Sequence, residues 1–217
     1  MVISQYVYLI VLWMLFCIQH SVFATEWWKL KMHQLLGSSF RFYRFYYSIF
    51  STLFLALLIY FQFSIQSAPI WKTSMDAQII AVLSGIMGLI IMVLCMLKYF
   101  RSVSGINAFS RQKKTGPELQ TGGLHRYVRH PLYFGTLLFI WSLFLFFPLW
   151  CNLMACVVIT VYTVFGIHLE ERKLIIEFGE IYKIYARQVP MLIPHFFIRR
   201  TKARIHFRKA FNEKNFD

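Results

Sequence analysis

Cationic and imidazole side chains crowd the start of an apolar run in the stretch GGLHRYVRHPLYFG, residues 122–135. Arg126, Arg129 and His130 fall within five positions, directly before Pro131. A charge beside the bilayer interior is costly unless it is paired, and it usually has a task. Side chains of these types can hold a carboxylate or a phosphate, and backbone amides at a helix start can do the same. The alternative is a headgroup anchor, in which the two arginines reach out to the membrane surface.

An acidic pair, Glu170 and Glu171, ends the same apolar run and needs charged partners at that depth. If the run folds into an antiparallel hairpin, its first and last residues lie side by side. Arg129 and His130 should then meet the two glutamates. Two interpretations stay open for such a cluster: a ligand-binding site, or an internal salt bridge that locks the hairpin.

The elements that would position these residues are membrane spans. The 217-residue chain is 58% hydrophobic and only 15% charged, with a mean hydropathy of +0.54. Soluble domains carry about 25% charged residues, so the composition indicates an all-α integral membrane protein without a separate soluble module. The apolar runs long enough to cross a bilayer are residues 2–24, 43–65, 77–100 and 132–169.

The last of these runs is too long for one span. Pro148 interrupts it, because proline cannot continue a helix, and Asn152 beside it suits a turn. We therefore predict two helices joined by a tight hairpin. The chain then has about five transmembrane helices.

The charge distribution gives the orientation of these spans. When sides alternate along the chain, 22 of the 23 Lys and Arg residues fall on one face, and only Lys72 falls on the other. The positive-inside rule places that face in the cytoplasm, with the N-terminus outside and the C-terminus inside. The basic tail 196–217 could bind nucleic acid, but its place beside a membrane favours contact with anionic lipid headgroups. No nucleic-acid partner is predicted.

The four cysteines do not suggest a metal centre or a disulfide framework. Cys17, Cys95, Cys151 and Cys156 lie in or at the ends of apolar runs, and no two of them form a C-x-x-C pair. Their default role is buried packing, and we predict no metal site.

An amphipathic helix is predicted after Glu171, ending at Val189-Pro190. It could lie on the membrane as a surface anchor, or fold over the charged cluster as a lid. Its apolar positions are Leu174, Ile175, Phe178, Ile181, Tyr182 and Tyr185.

These stretches also carry a family resemblance. The pattern G-L-H-x-x-x-R-H-P-x-Y-x-G, then L-E-E-R, then F-G-x-x-Y-x-x-Y-x-x-x-V-P resembles the membrane methyltransferases related to isoprenylcysteine carboxyl methyltransferase. The segments LHRYVRHPLYFG and YARQVPMLIP are most similar to the bacterial methanethiol S-methyltransferase branch of that superfamily. The first-span stretch FCIQHSVFA is similar to the same branch.

The resemblance implies a methyltransferase that uses S-adenosylmethionine in a pocket on the cytoplasmic side. It implies cofactor contacts from Leu119, Gln120, His125, His130, Pro131, Tyr133 and Glu170. The candidate catalytic residues are Arg129, His130 and Glu171. They would act where the acceptor is aligned with the sulfonium methyl group, and nearby positive charge would favour a thiolate. Within one domain, 1–217, we expect three N-terminal spans (1–100), a cofactor loop with hairpin and lid helix (101–195), and a basic tail (196–217).

Two positions depart from the carboxyl methyltransferases. Pro117 stands where they carry a histidine at the start of the cofactor turn, and Gly166 stands where they carry an arginine that faces the substrate carboxylate. We therefore predict a small thiol such as methanethiol, or another membrane-partitioning acceptor. The alternatives are methylation of an isoprenylcysteine carboxyl group or a phospholipid amine, a nicotinamide-dependent membrane reductase, and a non-catalytic membrane protein.

Overall fold

The computed structural model describes residues 2–103 and 119–194. Over that part of the chain the regular elements are all helical, as the all-α prediction requires. The α-helices are α1 (Val2–Ala24), α2 (Glu26–Leu36), α3 (Tyr43–Ser64), α4 (Met75–Val103), α5 (Pro131–Phe146), α6 (Trp150–Phe178) and α7 (Glu180–Gln188). Short 3₁₀ helices cover Gly37–Phe42 and Gly123–Arg126. Pro117 and the basic tail lie outside the described residues.

Several of these helices are suited to a bilayer. Within residues 2–103 and 119–194, four helical segments are long and apolar enough to cross one: Ser4–Ala24, Glu26–Ser64, Met75–Leu97 and Trp150–Phe178. Helix α5 is also apolar but has only 16 residues, whereas about 20 cross a bilayer core. Large apolar side chains such as Leu53, Leu83 and Val161 are each more than half exposed on the bundle surface. This surface fits contact with lipid, and the chain is a multi-pass membrane protein.

Helices α1, α3 and α6 pack around a common core. Its buried members are Leu9, Trp13, Leu58, Ile65, Cys151 and Ala155. A row of hydrogen bonds crosses this core: Trp13 Nε1 donates to Gln62 Oε1 at 2.9 Å, and Gln62 Nε2 donates to Asn152 Oδ1 at 2.9 Å. Asn152 Nδ2 then donates to the Phe147 carbonyl at 2.9 Å. Because lipid offers no hydrogen-bond partners, this row holds the three helices in one register.

Two glycines let α4 and α5 approach until their backbones touch. A Cβ atom at Gly88 would lie 2.8 Å from the Gly135 carbonyl oxygen and 2.8 Å from the Phe139 amide nitrogen. A Cβ atom at Gly135 would lie 2.9 Å from Cγ2 of Ile91. Small residues commonly allow such close crossings between membrane helices. This contact fixes the position of α5, whose first residues belong to the candidate site.

The predicted hairpin is present, with residues 147–149 joining α5 to α6. This turn pairs with the loop between α3 and α4: the Ile70 N–H donates to the Pro148 carbonyl at 2.7 Å, and the Trp150 N–H donates to the Ala68 carbonyl at 3.4 Å. The two connections therefore lie on the same side of the bundle.

Two segments differ from the sequence-based expectation. Residues 25–42, treated as a connection between spans, form α2 and a 3₁₀ helix. The amphipathic helix does not begin after Glu171, since α6 continues through both glutamates to Phe178. Only Gly179, at φ +57°, separates α6 from α7. A glycine tolerates this positive φ, so the helix breaks there and not at the acidic pair.

Candidate active site

The residues just before α5 form backbone hydrogen bonds with the residues just after α7. The backbone N–H of Arg129 donates to the Pro190 carbonyl at 2.9 Å, and that of His130 donates to the Met191 carbonyl at 3.2 Å. Pro131 is the first residue of α5, a position where its missing N–H leaves no hydrogen bond unmade. The chain after α7 thus runs alongside the residues that precede α5, although about 60 residues separate them in sequence.

Arg129 ties three elements together through its guanidinium group. Nε donates to Glu171 Oε1 on α6 at 2.7 Å, and Nη2 lies 2.7 Å from the same oxygen. Nη1 donates to the carbonyls of Ala186 and Val189, each at 2.7 Å. A cation at the last carbonyls of a helix is favourable, because these carry no intrahelical partner. Arg129 therefore fastens the C-terminal end of α7 to α6.

His130 lies between the two glutamates and is only 5% exposed. Its Nε2 is 3.2 Å from Glu171 Oε1, and its Nδ1 is 3.7 Å from Glu170 Oε2. Glu171 is largely buried, whereas the Glu170 side chain is 45% exposed. The structure thus brings both glutamates to Arg129 and His130, as the hairpin argument predicts. Glu171 is fully engaged in the cluster, and Glu170 still presents oxygen atoms to a ligand.

A cavity of about 330 Å³ lies against this cluster. Its polar or aromatic lining residues are Gln120, His125, Arg129, His130, Tyr133, Glu170, Phe178, Tyr182 and Tyr185. Its remaining lining residues are Cys95, Leu119, Pro131, Leu132 and Leu174. The wall therefore combines one partly exposed carboxylate, several hydrogen-bonding groups and an apolar surface, which suits a small amphipathic ligand.

Every cofactor-binding residue expected from the sequence lines this cavity. Of the three candidate catalytic residues, Arg129 and His130 line it, and Glu171 stands behind them, hydrogen-bonded to both. The location of these residues does not test their roles, which stay predictions. Among the described residues, no group of three or more His, Cys, Asp or Glu side chains could hold a metal ion.

Sequence analysis left open whether α7 is a surface anchor or a lid, and it named neither Tyr182 nor Tyr185 as a site residue. Both tyrosines are buried at the cavity. The Tyr185 hydroxyl donates to the His125 carbonyl at 2.7 Å and so fixes the 3₁₀ helix before α5. The Y-x-x-Y spacing, with two hydroxyls on one buried face, was the signal that could have revealed this.

The Tyr182 hydroxyl differs from that of Tyr185. Tyr182 is 1% exposed, and its hydroxyl faces the Glu171 carboxylate instead of a backbone carbonyl. Burial, and then the negative charge of Glu171, raise the pKa of Tyr182 above its usual value. The phenol therefore stays protonated at physiological pH and remains a hydrogen-bond donor.

Comparison with known proteins defines the class of this protein. Residues 78–182 match the family model described as phospholipid methyltransferase. Methanethiol S-methyltransferase 2 of Bradyrhizobium diazoefficiens is 34% identical over 86% of this chain and 72% of its own length. The methanethiol S-methyltransferase of Crocosphaera subtropica is 32% identical over 83% and 71%, and that of Pseudomonas deceptionensis is 26% identical over 83% and 69%. The chain matches none of the solved structures.

These matches make the protein a membrane methyltransferase. The chain belongs to the family that includes the methanethiol S-methyltransferases of Bradyrhizobium diazoefficiens and Crocosphaera subtropica. The family assignment confirms the resemblance found in the sequence. It also removes the alternatives of a nicotinamide-dependent reductase and of a non-catalytic membrane protein.

Proposed function

We propose that this protein transfers a methyl group from S-adenosylmethionine to a small thiol such as methanethiol, at a site that opens to the cytoplasm. The observation that carries the proposal is the cavity, because residues from every part of the family pattern line one space at the ends of α5, α6 and α7. The thiol is supported by the names of the relatives, which are methanethiol S-methyltransferases.

The lining fits S-adenosylmethionine in size and in chemistry. A volume of about 330 Å³ falls within the range of roughly 300–1,000 Å³ that is usual for small-molecule sites. Leu119, Leu174 and Phe178 offer an apolar surface for a purine ring, and the Glu170 carboxylate can accept hydrogen bonds from ribose hydroxyls or an amino group. We therefore propose cofactor contacts from Leu119, Gln120, His125, His130, Pro131, Tyr133 and Glu170.

When bound, S-adenosylmethionine supplies a methyl group on a sulfonium centre, open to in-line attack by a thiolate. The protein contributes by aligning the acceptor with that group and by excluding water. Helix α7 covers the cavity with Tyr182 and Tyr185, which supports the lid over the surface anchor. Arg129 is held by Glu171 and two carbonyls, so we propose that it acts as a fixed positive charge in the wall.

The lack of a cation at Gly166 supports a small, neutral acceptor. Gly166 lies on α6, one helical turn before Glu170. A neutral thiol needs no counter-ion at this position, whereas a prenylcysteine carboxylate would. Methylation of a phospholipid amine is the second candidate, because the matching family model is that of phospholipid methyltransferases.

Membranes that contain the protein test the acceptor directly. With labelled S-adenosylmethionine, we expect conversion of methanethiol to dimethyl sulfide to be faster than methylation of a farnesylcysteine analogue or of phosphatidylethanolamine. Membranes with an equal amount of the Glu170→Gln variant provide the matched control. Strong methyl-ester formation without volatile sulfide would contradict the thiol assignment, and labelled phospholipid as the main product would establish the second candidate.

We also propose five membrane crossings, with α5 as the fourth. Helix α5 starts beside Glu171, near one end of α6, and ends at the turn that pairs with the α3–α4 loop. It therefore runs along the same length of the bundle as α6. With an odd number of crossings and the basic residues inside, the N-terminus lies outside and the site and C-terminus lie in the cytoplasm. The basic tail 196–217 would then meet anionic headgroups.

Reporter fusions check this orientation. We expect a reporter after Lys72 to respond from the outer side and reporters at Lys113 and at the C-terminus to respond from the cytoplasm. A C-terminal reporter that responds from the outer side would end the five-span proposal.

A further inference from the structure

The two ring nitrogens of His130 face two different glutamates, and only one of them is close enough to form a hydrogen bond. Nε2 lies 3.2 Å from Glu171 Oε1, which is within hydrogen-bonding distance. Nδ1 lies 3.7 Å from Glu170 Oε2, which is too long for a hydrogen bond. In the part of the chain that the structure describes, Nδ1 has no hydrogen-bond partner. One nitrogen of the ring is therefore engaged by a glutamate, and the other is available.

The contacts of Glu171 decide which tautomer the His130 ring adopts. Glu171 Oε1 also receives Nε and Nη2 of Arg129, each at 2.7 Å, so this ion pair holds the carboxyl group in its ionised form. An ionised carboxylate accepts hydrogen bonds and cannot donate one. Nε2 must therefore carry the proton that it shares with Glu171. In the neutral ring, Nδ1 then carries the lone pair.

The lone pair of Nδ1 lies on the side of the ring where the cavity is. Glu170, beside Nδ1, lines the cavity, whereas Glu171, beside Nε2, stands behind the wall. His130 itself lines the cavity, although only 5% of the residue is exposed. A basic nitrogen at a cavity, without a hydrogen bond to the described residues, is suited to take a proton from a bound molecule.

The surroundings of His130 stabilise both products of such a proton transfer. A positively charged ring would lie between two carboxylates, with Glu171 at Nε2 and Glu170 3.7 Å from Nδ1. A thiolate beside the ring would lie at the N-terminal end of α5, where the helix dipole favours negative charge. The charged and titratable groups around the ring are Arg129, Tyr133, Glu170, Glu171 and, beyond Glu171, Tyr182.

We propose that His130 is the general base of the methyl transfer, that its Nδ1 takes the proton of the acceptor thiol, and that Glu171 is the positioning residue that orients the ring. The S–H bond breaks, its proton goes to Nδ1, and the thiolate sulfur uses its electron pair to form the new bond to the methyl carbon. The bond between that carbon and the sulfonium sulfur breaks, and its electron pair stays on the sulfur of S-adenosylhomocysteine. His130 then passes the proton to solvent at Glu170, whose side chain is 45% exposed. This role rests on the proposed transfer to a thiol.

A variant that keeps the hydrogen bond to Glu171 but lacks the base tests this role. In His130→Gln, the side-chain amide can still donate to Glu171, but it has no basic nitrogen. The acceptors are methanethiol and trifluoroethanethiol, a small thiol that is much more acidic because fluorine withdraws electrons. We expect the rate with methanethiol to fall about 100-fold or more, the usual contribution of a general base. The rate with trifluoroethanethiol should fall less than about tenfold, because this thiol ionises without a base.

Two controls separate this result from a general loss of structure. Both thiols are compared on one preparation, so a smaller folded fraction lowers the two rates equally. His168→Gln is the matched variant, since His168 is exposed on α6 and its Nδ1–H donates to the Val164 carbonyl at 2.7 Å. It should leave both rates unchanged.

Nitrogen NMR of protein with isotope-labelled histidine tests the tautomer without turnover. The signals of His130 are those that disappear in His130→Gln. With and without S-adenosylhomocysteine, we expect the neutral ring to carry its proton on Nε2 and its lone pair on Nδ1. In Glu171→Gln we expect both tautomers, because an amide can offer either its oxygen or its N–H groups to Nε2.

The outcomes separate failure of the base from failure of the reaction. Equal losses with the two thiols in His130→Gln, or a proton on Nδ1 of the neutral ring, would overturn the base. One unchanged tautomer in Glu171→Gln would overturn the orienting role of Glu171. If the unsubstituted protein methylates neither thiol, the proposed reaction itself is wrong, and the base falls with it whichever tautomer the spectra show.

Discussion

Buried polar groups serve different ends in two regions of this molecule. In the core of α1, α3 and α6, the row from Trp13 through Gln62 to Asn152 consists of neutral groups that satisfy one another and end on a backbone carbonyl. At the candidate site, Arg129 and His130, which precede α5, are paired with glutamates of α6, and these paired groups lie against a cavity. The first arrangement joins helices to one another, whereas the second borders a space that a ligand could fill.

The contrast teaches how to separate structural from functional polarity inside a membrane protein. A neutral network costs less to bury than charges do, and a complete one specifies how helices pack. A charged cluster is stable only with strong pairing, and one that borders a cavity is a candidate for ligand binding.

The largest effect should follow the loss of Arg129. Arg129→Leu leaves Glu171 as a largely buried charge without its cation and leaves the Ala186 and Val189 carbonyls without a donor. We expect a loss of about 3–5 kcal/mol in stability at this end of the molecule, as for a broken buried ion pair. Limited proteolysis should detect it as earlier cleavage at α7. Arg129→Lys keeps the positive charge but loses the planar guanidinium group that donates several hydrogen bonds at once. It should therefore give an intermediate result. Wild-type protease resistance in Arg129→Leu would show that α7 is held by other contacts.

A smaller effect, on binding alone, is expected at Glu170. This carboxylate lines the cavity and is 45% exposed, so it is less committed to the cluster than Glu171. Glu170→Gln should weaken S-adenosylmethionine binding by about an order of magnitude, because a charge-assisted hydrogen bond is lost. Its unfolding temperature should match that of the unsubstituted protein. Unchanged affinity, measured by binding of labelled cofactor, would make Glu170 a structural lock instead.

An effect of about the same size is expected from the neutral network, but on stability and not on cofactor binding. Gln62→Leu leaves Trp13 Nε1 and Asn152 Oδ1 without their partner. We expect about 1–2 kcal/mol of destabilisation, the size found for polar contacts between membrane helices. Cofactor affinity should not change, since none of these residues lines the cavity. If Gln62→Leu is fully folded in the assay and still binds the cofactor tenfold more weakly, the two regions are coupled. The contrast drawn between them would then be wrong.

Much of the architecture follows from the sequence because lipid imposes simple rules. Apolar length predicts spans, Pro148 predicts the hairpin, and the antiparallel hairpin predicts that Arg129 and His130 meet the two glutamates. The family pattern then predicts which of these residues would contact a cofactor, and those residues line the cavity. Each of these steps uses information that is local in sequence or that follows from one short connection.

Only the tertiary structure decided how α6 ends and what α7 covers. Periodicity shows that residues 172–188 have an apolar face, but it does not show whether lipid or protein covers that face. The answer depends on contacts across about 60 residues: Arg129 with the carbonyls of α7, and Tyr185 with His125. The sequence by itself predicted which residues lie at the ends of the spans, and the packing of α7 determined which of them enclose the cavity.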